Sequence, residues 1–89
     1  MSREVDALRA AISDNDRAIV AAVNERLRLV ARLWRLKREL GADRFDPDRE
    51  RLLRAELAAT NEGPLSAKEL DHLVDELLAM TKRGLGDSV

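Results

Sequence analysis

Apolar residues recur along the first forty positions at Val5, Leu8, Ile12, Ile19, Val23, Val30, Leu33 and Leu40. Most intervals are three, four or seven, the signature of one helical face, and no Gly or Pro interrupts the run from Arg3 to Leu40. Gly41 supplies a stop. Asp46-Pro47 opens a second helix, with Asp46 as N-cap and Pro47 at the first helical position, where a missing N–H costs nothing. Leu53, Leu57 and Thr60 share a face of it, and Asn61-Glu62-Gly63-Pro64 ends it. Ser66-Ala67-Lys68-Glu69 is a capping box for a third helix, with Leu65 and Leu70 at hydrophobic-staple positions. Leu70, Leu73, Val74 and Leu77 form its stripe, and Gly84 and Gly86 close the chain. The pattern predicts an all-α fold, a three-helix chain with one very long N-terminal helix.

Length sharpens that reading. The chain has 89 residues, enough for a single domain spanning 1–89 but with a marginal core for a monomer. Some 38 helical residues at 1.5 Å each extend ~55 Å. A compact monomer of this size has a radius of gyration near ~12 Å and is roughly 30 Å across. The first helix is therefore too long for its own domain, and its stripe calls for a second copy. A helical homodimer is expected.

Composition removes several functions. There is no Cys and one His (His72), so disulfides, thiolate nucleophiles and Cys- or His-rich metal sites are out. Lys+Arg 16 against Asp+Glu 17 gives net charge −1, which argues against a general nucleic-acid binder. No apolar run approaches a membrane span, the longest being Ala18 to Val23, and the charged start MSREVDALRA lacks a signal peptide's apolar stretch. A cytoplasmic protein is expected. Only Trp34 and Phe45 are aromatic, and β-branched residues are scarce beside Leu, Ala, Arg and Glu. That is helix-forming stock. Thirteen of the sixteen cations are Arg, the side chain suited to bidentate carboxylate recognition, although an Arg-rich genome gives the same bias.

Candidate chemistry lies inside the first stripe. With Ile12 at zero and 100° per residue, Arg26 falls at about −40° and Lys37 at about −20°, among Val23, Val30 and Leu33. Arg17, Arg28, Arg32 and Arg35 fall near 140° to −160°, an ordinary solvated face. Arg26 and Lys37 instead point inward, where an unpaired cation is costly. A buried salt bridge is one solution, with Asp16 on the same face but ~15 Å along the axis unless a partner helix brings it closer. A ligand site is the other. Asp46-Pro47-Asp48-Arg49-Glu50 adds charge near the end of the first helix, so two cations and a carboxylate converge on one small volume. That suits a compact dianion carrying a hydroxyl and suits a metal poorly. Trp34, at about +40°, reads as dimer core or pocket border. His72 reads as a surface or interface residue, and Asp14 and Asp16 as structural.

These residues form a recognisable series. Leu8-Arg9-x-x-Ile12-x-x-x-Asp16-x-x-Ile19, then Glu25-Arg26, Lys37 and Asp46-x-x-Arg49-Glu50 resemble the all-helical AroQ class of chorismate mutases, from about Val5 to Leu85. The separations Arg9 to Arg26 (17), Arg26 to Lys37 (11), Lys37 to Asp46 (9) and Asp46 to Glu50 (4) match that class without a gap. The resemblance implies an intertwined homodimer that rearranges chorismate to prephenate with no cofactor and no metal, in phenylalanine and tyrosine biosynthesis. It implies carboxylate clamps at Arg26 and at the partner chain's Arg9, and a donor to the ether oxygen and a carboxylate at Lys37. It gives Glu50 and the backbone at Asp46 the ring hydroxyl, with Arg49 on the same wall. Arg9 lies ~25 Å from Arg26 along the helix, so the two reach one ligand only from different chains.

The third helix departs from the family pattern. The family's Ser becomes Thr81, which keeps a hydroxyl on the inner stripe. Its Gln or Glu becomes Leu85, which has no donor. Lys82 falls about 120° from Leu70 and is expected to point elsewhere. Gly84 and Gly86 are expected to let the helix end fray. The ending Lys82-Arg83-Gly84-Leu85-Gly86 is similar to the short actinobacterial subclass, in which a poorly preformed mutase is activated by binding DAHP synthase. The alternatives are a 4-amino-4-deoxychorismate mutase, an enzyme removing pyruvate from isochorismate, whose relatives lack Asp-x-x-Arg-Glu, and a catalytically silent or weak helical dimer module. The silent module would leave Arg26, Lys37 and Glu50 at an interface with nothing to neutralise them.

Overall fold

Local hydrogen bonds fix the helix ends. In the structure, a computed structural model describing residues 2–85, Ser2 Oγ accepts from the N–H groups of Glu4 and Val5 (3.1 and 3.4 Å) and starts α1, Arg3–Glu39. α1 closes at Gly41, whose φ of 71° few side chains tolerate. There Gly41 N–H donates to Arg38 O (3.2 Å) and Ala42 N–H to Lys37 O (2.8 Å), satisfying carbonyls the helix would leave bare. Asp46 Oδ1 accepts from Arg49 N–H (3.1 Å) to cap α2, Pro47–Thr60. Ser66 Oγ accepts from Glu69 N–H (3.1 Å) at the start of α3, Ala67–Leu85. The three predicted helices are thus present, each begun by a side-chain cap.

α3 packs against both α1 and α2. Its buried side chains are Leu70, Val74 and Thr81, spaced four and seven apart, and Trp34 is the buried residue of α1. Leu73, expected in the α3 stripe, is 47% exposed because the helix turns Leu70 and Val74 inward instead. At the rim between α2 and α3, Arg54 donates to Asp75 (2.5 Å) and pairs with Asp71 (3.8 Å). The Asp75 hydrogen bond raises its pKa above the ordinary guanidinium value, so it stays a cation throughout.

The molecule measures 58 × 26 × 17 Å with a radius of gyration of 16.8 Å, against about 12 Å for a compact chain this long. The excess is α1. Every residue from Ser2 to Ala22 is exposed, including Val5, Leu8 (65%), Ile12 (59%) and Ile19 (53%). The stripe exists, but within one chain its N-terminal half covers nothing.

Two expectations about α3 change. The helix runs through Gly84 to Leu85 rather than fraying there, while Gly86 lies outside the described residues. The ~1 kcal/mol that Gly costs a helix is small beside the anchoring of the last turns. Thr81 is 4% exposed and hydrogen-bonded on both sides, and Leu85 is half-buried. Lys82 also departs from its expected direction.

Candidate active site

The C-terminal half of α1, the 40–46 loop, the start of α2 and the end of α3 enclose a cavity of about 290 Å³. α1 contributes Arg26, Val30, Leu33, Trp34 and Lys37, positions spaced three and four apart that a single helical face must present together. Asp46, Arg49, Glu50 and Leu53 come from the cap and first turns of α2. α3 supplies Leu78, Thr81 and Lys82. Of the residues picked from sequence, Arg26, Lys37, Asp46, Arg49, Glu50 and Thr81 therefore meet in one place. Arg9 does not; it is exposed on the free half of α1.

Arg26 and Lys37 are half-buried. Arg26 Nη1 donates to Thr81 Oγ1 at 2.7 Å, and that hydroxyl donates in turn to Leu77 O at 2.8 Å. The relay fixes the guanidinium across 55 residues of sequence. Among the described residues neither Arg26 nor Lys37 has a carboxylate within 4.0 Å, so the intrachain salt bridge open from sequence is not formed. Asp16 is exposed far up α1. Arg49 reaches Glu56 at 3.9 Å from an exposed position. Asp46 commits its Oδ1 to capping α2, and its carbonyl accepts from Glu50 N–H (3.1 Å).

The structure adds three residues that sequence reasoning missed. Lys82 does not point away. Its Nζ lies 4.0 Å from Glu50 Oε1 and 5.7 Å from the centre of the Phe45 ring. A four-carbon stem carries the ammonium back over the α3 flank, so a 120° offset at Cα does not decide where the charge ends. Arg44 lies over Trp34 (4.8 Å to the ring centre) and Phe45 (5.6 Å), and the two rings meet edge-on at 6.5 Å. Trp34 borders the pocket, 8% exposed. The only sequence signal for Arg44 and Phe45 was their position just before the Asp46 cap. His72 is exposed beside Glu69 (3.7 Å).

Among the described residues the wall thus carries five cations, Arg26, Lys37, Arg44, Arg49 and Lys82, against two carboxylates, in a chain whose net charge is −1. Such a concave, locally positive site focuses an anion. Among the described residues no group of three His, Cys, Asp or Glu side chains is placed to hold a metal ion, and no helix is long and apolar enough to cross a membrane.

An all-helical chain with a cationic, aromatic-edged pocket of this size belongs to a class of small helical proteins suited to binding a compact organic anion. The profile of the chorismate mutase type II family matches residues 8–84, and the chain belongs to that family, the isomerases of the all-helical AroQ class. It is similar to the chorismate mutase of Thermus thermophilus. The Form I structure of that enzyme shows 34% identity and a TM-score of 0.84, covering 89% of this chain and 99% of that one. The Form II structure shows 34% identity and a TM-score of 0.83, covering 89% and 90%. No curated protein sequence matches the chain.

Proposed function

We propose that this pocket converts chorismate to prephenate by an intramolecular Claisen rearrangement, serving aromatic amino acid biosynthesis. The ether C–O bond breaks as a new C–C bond forms within one molecule, so no atom is lost and no general base is required. One observation carries the reading: two half-buried cations, Arg26 and Lys37, share a cavity, and among the described residues no carboxylate lies within 4.0 Å of either. A dianionic substrate supplies the missing charge. Arg26, oriented by Thr81, clamps one carboxylate, and Lys37 donates to the ether oxygen as negative charge develops there. Glu50 and the backbone at Asp46 hold the ring hydroxyl, with Arg49 on the same wall. The gain comes from holding a flexible molecule in its chair-like reactive conformer and from prearranged donors.

The site is completed by a second copy. The bare apolar stripe from Val5 to Ile19 supports a homodimer, because a helix so exposed on its apolar face gains little alone. Arg9, ~25 Å along α1 from Arg26, then serves the partner's pocket as the second carboxylate clamp. Leu85, which takes the family's Gln position, is not among the residues lining the pocket and its side chain has no donor, which favours assistance from a partner enzyme such as DAHP synthase. The deciding experiment follows chorismate loss spectrophotometrically for the purified protein, with and without DAHP synthase from the same organism. Saturable turnover is expected, raised by the partner; no turnover in either condition would refute the proposal.

A further inference from the structure

We propose that the Lys82 ammonium makes this pocket select a substrate with a ring hydroxyl over one with an ammonium at the same position. The inference rests on the reading of Glu50 as the ring-hydroxyl hold and names the specificity of that hold. Lys82 Nζ stands near two groups of the pocket wall, Glu50 Oε1 at 4.0 Å and the Phe45 ring at 5.7 Å. Asp46, the other carboxylate of the wall, is engaged at the α2 cap. Among the described residues, Glu50 is the wall carboxylate not tied to a helix cap, and a cation stands beside it.

A hydroxyl fits that pair. It donates to Glu50 and accepts from Lys82 through its lone pairs, and it brings no charge. An ammonium has three donors and no lone pair, so it offers Lys82 nothing and must share one carboxylate with it. Two like charges about 5 Å apart then repel in a wall that also carries Arg49 and Arg44. The Glu50 and Lys82 side chains are 40% and 52% exposed, so water moderates the repulsion without removing it. A discrimination on the order of tenfold is the scale expected for such a partly hydrated pair.

The test compares kcat/KM for chorismate and for 4-amino-4-deoxychorismate in the wild-type dimer and in Lys82→Gln, Lys82→Glu and Lys82→Arg, with folding checked by circular dichroism and size by gel filtration. The readout is the ratio of the two substrates within each variant, so a general loss of activity cancels. Lys82→Gln is expected to shift the ratio about tenfold toward the amino compound, Lys82→Glu further, and Lys82→Arg to leave it near wild type. Turnover of chorismate with a ratio unmoved by Lys82→Gln and Lys82→Glu overturns this inference and leaves the proposed function standing. Failure of the wild-type dimer to turn over either compound, alone or with DAHP synthase, overturns both.

Discussion

Thr81→Val probes the link between α3 and Arg26, the proposed carboxylate clamp. Thr81 is 4% exposed, and its hydroxyl accepts from Arg26 Nη1 at 2.7 Å and donates to Leu77 O at 2.8 Å. Valine fills nearly the same space but makes neither bond. Leu77 O already belongs to the α3 ladder, so its loss is minor and stability should fall by about 1 kcal/mol. The Arg26 bond is charge-assisted, a class worth about 1.5–3 kcal/mol. At about 1.4 kcal/mol per factor of ten, the ceiling on lost transition-state binding is roughly a hundredfold. Substrate carboxylate recaptures part of the orientation, so about tenfold in kcat/KM is expected, with Thr81→Ser near wild type. Steady-state chorismate assays on both variants, beside thermal melts, decide it. Thr81→Val within twofold of wild type, with the fold intact, would show that Arg26 is positioned without α3.

Direct removal of a clamp is harsher. Arg26→Ala or Lys37→Ala should lower kcat/KM by about a thousandfold with the dimer still folded, and any variant keeping a tenth of wild-type activity leaves the site. Mixed Arg9→Ala and Arg26→Ala chains should regain activity on subunit exchange, because one pocket of each heterodimer recovers both arginines; verified exchange without recovery would assign Arg9 to its own chain. Leu8→Asp with Ile12→Asp should convert the proposed dimer to monomer in sedimentation and abolish turnover, since both side chains lie on the bare stripe; an intact dimer would move the interface elsewhere. Leu85→Gln should raise kcat/KM of the isolated protein by restoring a donor at the ether-oxygen side, and truncation of residues 84–89 should remove activation by DAHP synthase; unchanged kinetics in both cases would make the α3 end irrelevant.

The starts of α2 and α3 and the end of α1 were legible because each is set within five residues. Asp46 caps the N–H of Arg49, Ser66 that of Glu69, and Gly41 reverses the chain after Leu40. Arg26 and Lys37 were legible because a helix turns regularly, so eleven residues return them to one face whatever packs there. The family resemblance then gathered Asp46, Arg49, Glu50 and Thr81 around them. Tertiary structure decided what lies between elements. The Arg26–Thr81 bond depends on how α3 is rotated against α1, and nothing in either helix's own periodicity sets that angle. Lys82 shows the same limit: its Cα direction follows from 100° per residue, but its charge goes where Glu50 and Phe45 draw a flexible stem. Arg44 and Phe45 come from a loop, which has no period to read. Short-range hydrogen bonds write helix limits into neighbouring residues, whereas the relative placement of packed helices is the joint outcome of side chains far apart in the chain.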